Sequence, residues 1–204
     1  DWYLKAANQG SAYGQGNVGE AYNSGLGVNQ DFKQALVWSL KAANQGDTMA
    51  EIHVGEAYTK GQGVDQDYKQ ALVWFRKAAN KGDDYGQEWL GHMYEKGYGV
   101  TQDYKQAFDW YLKAANKGSA YGETNLGEAY ESGQGVNQDY KQALFWFRKA
   151  ANQGSAFAQE WMGYMYEMGQ GVDQDYTQAF DWYQKAADQG SSCLLYTSPS
   201  PRDS

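Results

Sequence analysis

The side chains able to do acid–base, metal or nucleophilic chemistry are few in this chain. Its 204 residues include two histidines, His53 and His92, and a single cysteine, Cys193. The chain repeats every 36 residues, so that His53 occupies the position of Trp89 and His92 that of Glu56. No second ligand recurs beside either histidine, and one cysteine excludes an internal disulfide framework and a multi-cysteine zinc site. We therefore expect no catalytic residue, no metal and no cofactor.

Carboxylates are more numerous, but their positions suit structure better than chemistry. The pairs Asp65/Asp67 and Asp173/Asp175 follow a Gly-x-Gly-Val turn and could suggest calcium. An EF-hand loop needs its ligands in a different order, and we expect the second Asp of each pair to cap a helix. Glutamates also recur at one repeat position, which indicates either a solvated face or an acidic stripe for a partner: Glu20, Glu56 and Glu128.

The best candidates for function are aromatic side chains at positions that change from repeat to repeat. Spacings of four and three residues return to the same face of a helix, so three varying positions form one stripe. Tyr and Trp are favoured anchors at interfaces. We predict a partner-binding surface, with packing between adjacent repeats as the alternative, made of Tyr85, Trp89, His92, Tyr121, Phe157, Trp161 and Tyr164.

Composition excludes several other classes. The formal net charge is −8, whereas nucleic-acid binding needs a basic footprint. No apolar run approaches the ~18–20 residues that span a membrane. Eighteen tyrosines, eight tryptophans and abundant alanine and glycine still allow a core in which aromatic rings pack against small residues.

A repeat of 36 residues determines the expected fold. Glycines recur at this spacing from Gly10 to Gly190, and tryptophans from Trp2 to Trp182. The pattern gives a partial unit, five whole units and a non-repeat tail: 1–10, then 11–46, 47–82, 83–118, 119–154 and 155–190, and finally 191–204. The tail holds the only cysteine and both prolines, and resembles an adaptor translation or a disordered end. Because the pattern is already under way at Asp1, we expect the array to belong to a longer chain.

Each unit predicts two helices joined by a glycine turn. In unit 83–118, Asp83 or Asp84 should cap a helix over about 84–96, and Gly97 should end it in the left-handed conformation. Asp103, with Gln106 in the position of a capping box, should start a second helix over about 104–116. Its predicted buried face is Tyr104, Ala107, Phe108, Tyr111 and Ala114 or Ala115, and Val100 should anchor the turn. Glycine inside the first helix, as at Gly91, predicts close approach of an aromatic ring from the second helix.

Helix pairs of this size must stack to bury their apolar faces. We therefore predict an all-α, right-handed α-solenoid of 36-residue helix-turn-helix repeats. The block Leu90-Gly91-His92-Met93-Tyr94, the Gly-x-Gly-Val turn, the Gln-Asp-Tyr-Lys-Gln-Ala block and the Trp-x-x-Lys-Ala-Ala-x-x-Gly ending together resemble Sel1-like repeats, relatives of the tetratricopeptide repeat.

The resemblance implies an adaptor that binds a protein or peptide on the concave first-helix surface, and the negative charge favours a basic or amphipathic partner. Glycan or cell-wall polysaccharide binding through exposed Trp and Tyr is the alternative. One branch of the family carries a cysteine pair in each repeat and binds penicillin-like compounds. None of the units here contains cysteine, which makes a beta-lactamase-like hydrolase a remote third hypothesis.

Overall fold

The computed structural model describes residues 2–190, and every regular element in that range is an α-helix. The chain forms two compact units, Asp1–Lys117 and Gly118–Ser204. The first contains α1 (Trp2–Asn8), α2 (Ala12–Ser24), α3 (Phe32–Asn44), α4 (Thr48–Lys60), α5 (Tyr68–Asn80), α6 (Asp84–Lys96) and α7 (Tyr104–Ala115). The described part of the second contains α8 (Ala120–Ser132), α9 (Tyr140–Asn152), α10 (Ala156–Met168) and α11 (Tyr176–Ala187).

Within each unit a helix packs mainly on its neighbours along the chain. First helices of the repeats (α2, α4, α6, α8, α10) alternate with second helices (α1, α3, α5, α7, α9, α11). This arrangement confirms the predicted class, an all-α solenoid of helix-turn-helix repeats about 36 residues long. The sequence tail, 191–204, lies outside the described residues.

The predicted caps set the helix ends. Asp83 accepts a hydrogen bond from the backbone N–H of Gly86 at 2.8 Å, and Gly97 ends α6 with φ of 72°. Asp103 accepts from the backbone N–H of Gln106 at 3.0 Å. The reciprocal half of the predicted capping box is wrong, because the backbone N–H of Asp103 donates to the carbonyl of Tyr94 at 2.9 Å. That bond joins the start of α7 to the end of α6.

Close approach explains the glycine inside each first helix. A Cβ added to Gly91 would lie 2.7 Å from ring carbons of Tyr111, which is buried on α7. Gly55 meets the ring of Phe75 in the same way. Gly19 faces the hydroxyl of Ser39 instead, because Ser39 replaces the aromatic residue in its repeat.

The turn also needs its second glycine for close approach. Gly99 has φ of 69°, and a Cβ there would overlap the carbonyl oxygen of Tyr68 at the start of α5. Val100 follows and packs against the core of the first unit, as predicted. The turns at Gly63, Gly99 and Gly171 thereby dock on the preceding repeat as well as joining the two helices of their own repeat.

The core is a layer of alanine and large apolar side chains between the helices. In the first unit, Leu72, Phe75, Leu90 and Met93 are buried together, and the second unit repeats the arrangement around Phe147. On α7 the predicted face is buried at Ala107, Tyr111, Ala114 and Ala115, and half-buried at Phe108. The prediction is wrong for Tyr104, which is exposed. It lies at the first residue of α7, where its hydroxyl accepts a hydrogen bond from the Gln102 amide at 2.9 Å.

Candidate functional site

Three of the predicted residues form one aromatic cluster on α6. The Tyr85 and Trp89 rings are 6.4 Å apart between centroids and nearly perpendicular, at 88°. Trp89 and His92 are 5.9 Å apart at 81°. The spacing of four and then three residues therefore places the tryptophan between two upright rings along the helix.

The tryptophan of this cluster rests on the hydrophobic core. Its ring stacks on Phe75 of α5, with centroids 4.8 Å apart and planes inclined by only 3°. Phe75 is fully buried and its ring also packs closely against Gly55, which leaves it little room to move. Trp89 itself is half-buried, with one face packed on Phe75 and part of the indole accessible to solvent. A rigid ring held in this way needs little ordering when it binds a partner.

The α6 cluster continues into the glycine turn. His92 makes an edge contact with Tyr98, at 5.8 Å between centroids, and Tyr98 stacks on Tyr68 at 4.5 Å. Tyr98 is exposed and Tyr68 half-buried. Tyr98 of the turn and Tyr68 at the start of α5 are therefore two further rings beside the cluster, and the predicted site did not include them.

The second unit repeats the cluster on α10. Trp161 stacks on Phe147 at 5.0 Å with planes 4° apart. Phe157 and Tyr164 flank it, at 6.4 Å and 90° and at 5.6 Å and 89° respectively. Each compact unit therefore holds one copy of the same arrangement, 72 residues apart in sequence.

The seventh predicted residue, Tyr121 on α8, lies in a repeat without the tryptophan. Asn125 occupies that position and donates to the Tyr121 carbonyl at 2.8 Å. Asn17 makes the same bond to Tyr13 on α2, whereas His53 lies 3.5 Å from Glu20. The structure thus brings Tyr85, Trp89 and His92 together in one unit and Phe157, Trp161 and Tyr164 together in the other.

The outer residues of the stripe stay in contact with solvent. The side chains at the first stripe position are 45–67% exposed in all five repeats: Tyr13, Met49, Tyr85, Tyr121 and Phe157. At Tyr85 and Phe157 the exposed ring lies beside the tryptophan of a cluster, where it can serve as a contact for a partner.

Burial and nearby charged side chains shift the pKa values of two rings in the α6 cluster. The Tyr85 hydroxyl donates to Glu56 at 3.0 Å, and burial followed by the Glu56 charge raises the pKa of Tyr85. Burial lowers the pKa of His92, with Lys96 adding to that effect and Glu95 opposing it. His92 is therefore a neutral aromatic wall at pH 7. On α10 the corresponding wall is Tyr164.

Charge is segregated between the two kinds of helix. In the second unit, α8 and α10 carry no Lys or Arg and four accessible glutamates: Glu128, Glu131, Glu160 and Glu167. In the first unit, α2, α4 and α6 carry five accessible acids and two lysines, each paired with a glutamate: Lys60 with Glu56 and Lys96 with Glu95. The second helices are basic instead, with α9 and α11 carrying four basic residues and one acid. The aromatic clusters therefore lie on the acidic helices.

Sequence reasoning missed the supporting phenylalanines, although a signal was present. Where the second helix of a repeat has Phe at this position, the next repeat has Trp on its first helix: Phe75 before Trp89 and Phe147 before Trp161. Where it has Tyr, as at Tyr111, the next repeat has Asn. This correlated change marks two residues stacked across a repeat boundary.

The carboxylates and histidines of residues 2–190 were also compared with metal-binding arrangements. No group of three or more His, Cys, Asp or Glu there is arranged to hold a metal ion. Asp67 and Asp175 accept bonds from backbone N–H groups two and three residues on, as helix caps do. Within the same range no helix is both long and apolar enough to cross a membrane.

The fold and the repeat together place this chain in the class of α-solenoid proteins, which are built from stacked helix pairs, here joined by a glycine turn. The Sel1 repeat profile matches almost the whole chain, at residues 1–11, 12–47, 48–83, 84–119, 120–155 and 156–191. The chain belongs to the Sel1-repeat family. Proteins of this family generally serve as interaction scaffolds and are generally not enzymes.

Solved structures of other proteins share this fold. The chain is 40% identical to the protective antigen c5321 of uropathogenic Escherichia coli, with a TM-score of 0.88 over 93% of this chain and 40% of that one. It is 32% identical to a Sel1 repeat protein of Oxalobacter formigenes, with a TM-score of 0.86 over 90% and 73% of the two chains. Helicobacter pylori cysteine-rich protein B is 25% identical, with a TM-score of 0.52 over 62% and 93%. A comparison with curated protein sequences gives no match.

Proposed function

We propose that this chain is a non-enzymatic scaffold whose first helices bind a basic or amphipathic segment of another protein. The observation that carries the proposal is the pair of supported aromatic clusters on α6 and α10, which repeat with nearly the same ring geometry. The helix caps, the glycine turns and the core residues recur from repeat to repeat, whereas the residues of the stripe that bears the clusters vary. Variation on an otherwise constant framework is typical of a recognition surface.

The chemistry of the stripe favours a basic partner. Tyr and Trp supply large contact areas at low cost in side-chain entropy. The helices that carry them are acidic, and complementary charge speeds association and selects against acidic partners. The proposed contact residues are Tyr85, Trp89 and His92 in the first unit, and Tyr121, Phe157, Trp161 and Tyr164 in the second.

A peptide selection tests the proposal directly. The immobilised chain would select binders from a random peptide library, and these would then be measured against two double variants. Tyr85→Ala/Phe157→Ala removes one exposed ring from each cluster. Tyr13→Ala/Met49→Ala removes side chains of the same stripe position from repeats without tryptophan, and serves as the matched control.

We expect the selected peptides to be rich in Lys and Arg and to bind the control variant as well as the unchanged chain. Losing two anchors should weaken binding about tenfold or more in the test variant. Peptides that bind all three proteins equally would contradict the proposed surface. Affinity for polysaccharide that survives high salt, with no peptide selected, would favour the glycan alternative.

A further inference from the structure

Six of the eight tryptophans already carry a cation from their own helix. Each is followed three residues later by a lysine, and the ammonium lies over the indole. On α3, α5 and α7 the distances to the ring centroid are 3.8, 3.6 and 3.5 Å. Such contacts are favourable because the face of an aromatic ring is electronegative.

Trp89 and Trp161 are the two exceptions to this pattern. Three residues after them the chain has His92 and Tyr164, both aromatic, in place of lysine. A third ring precedes each tryptophan by four residues, Tyr85 in one cluster and Phe157 in the other. Each indole therefore has one face stacked on a core phenylalanine and two nearly perpendicular rings beside it. We call the indole and these two rings a cradle, which has three aromatic sides.

Carboxylates outnumber cations on the helices that bear the cradles: α6 has Asp84, Glu88 and Glu95 against one lysine, Lys96, which is paired with Glu95. On α6 the tryptophan follows Glu88, and on α10 it follows Glu160. Glu56 fixes the Tyr85 wall through its hydroxyl, and its second oxygen lies 3.0 Å from Lys60. The helix that bears Trp161 contains no basic residue. An apolar occupant would gain nothing from these carboxylates, whereas a cation gains from both rings and charge.

We infer that each cradle holds one guanidinium or ammonium group of the bound segment, so that the chain has two equivalent cation sites, one per compact unit. This inference rests on the proposed function and identifies the side chain that each aromatic cluster recognises. Each site would recognise one basic side chain of the partner.

The test uses the whole chain and two small probes that differ in charge. Nα-acetyl-arginine methylamide carries the guanidinium, and the citrulline analogue replaces it with a neutral urea of the same shape. Indole N–H signals of the eight tryptophans would be followed by NMR during titration. Tyr85→Ala and Phe157→Ala each remove one cradle wall, and Tyr13→Ala is the matched control.

We expect the arginine probe to shift the signals of Trp89 and Trp161 and to bind about fivefold more tightly than citrulline. Tyr85→Ala should weaken the response of Trp89 alone, and Phe157→Ala that of Trp161 alone. Equal binding of the two probes, shifts confined to the other six tryptophans, or no shift with either probe would overturn the inference. If peptides from the selection still depend on the Tyr85 and Phe157 side chains in those cases, the proposed function stands and only the cation inference fails.

Discussion

Replacing Gly91 by alanine tests how closely the two helices of a repeat approach. The added Cβ would lie 2.7 Å from two ring carbons of Tyr111, closer than packed carbons tolerate. Tyr111 has little freedom to move, because it is buried and its hydroxyl donates to Glu95 at 2.7 Å. Overpacking should cost about 1–3 kcal/mol, against a gain of about 1 kcal/mol from removing a glycine from a helix. The net expectation is a loss of up to about 2 kcal/mol.

Gly16→Ala is the matched control for this experiment. Gly16 also lies inside a first helix, but its nearest neighbour, the Asp47 carboxylate, is 3.9 Å from the added Cβ. It should therefore gain up to about 1 kcal/mol. Urea unfolding followed by circular dichroism would measure both variants. If Gly91→Ala gained as much stability as Gly16→Ala, close helix approach would not be the reason for the glycine.

Three further predictions concern other positions. Ser39→Phe should stabilise the chain by about 1 kcal/mol, measured by urea unfolding, because Phe occupies the same position against a glycine in the repeat of Phe75. Glu51→Ala should lose about 1–3 kcal/mol in the same assay, since the buried carboxylate lies 2.8 Å from the Lys81 ammonium. Binding of the arginine probe at the α6 cradle should weaken as the pH falls below 6.5, because protonated His92 repels a cation. NMR titrations at a series of pH values measure it.

Each of these predictions has an internal control. Ser39→Ala adds no ring and should change stability little. Glu51→Gln copies Gln15 and Gln87, whose amides donate to backbone carbonyls of the preceding second helix, and should fold nearly as well as the unchanged chain.

His92→Tyr copies the α10 cradle and should remove the pH dependence. Binding should weaken toward low pH because the pKa of His92 lies below its ordinary value of 6.5. The ring is therefore neutral at pH 7 and gains charge only as the pH falls below 6.5. An equal loss of arginine-probe affinity at both cradles at low pH would show that His92 is not the cause.

Local signals in the sequence predicted much of the fold. Asp83, Gly97 and Asp103 fixed the ends of α6 and the start of α7, because caps act through neighbouring backbone groups. Gly91 predicted a ring from the partner helix, which is Tyr111. Tyr104 was wrongly predicted to be buried, since helical periodicity does not distinguish a residue at the start of a helix from one in its middle.

The candidate site was predictable along one helix and much less so across helices. The spacing of Tyr85, Trp89 and His92 placed them on one face of α6, where their rings do meet. Phe75 was missed because it reaches Trp89 from another helix, and only its correlated change with tryptophan indicated the contact. Tyr98 was missed because it lies in the turn, outside the helical pattern. Contacts between elements depend on the packing of the whole repeat.

The most direct test of the first-helix surface is an NMR map of the eight tryptophan indoles with a selected basic peptide bound. Trp89 and Trp161 lie on first helices, and the other six lie on second helices. Our account predicts that the peptide shifts the signals of Trp89 and Trp161 and leaves the other six in place. Shifts confined to the second-helix tryptophans, with Trp89 and Trp161 unmoved, would contradict it.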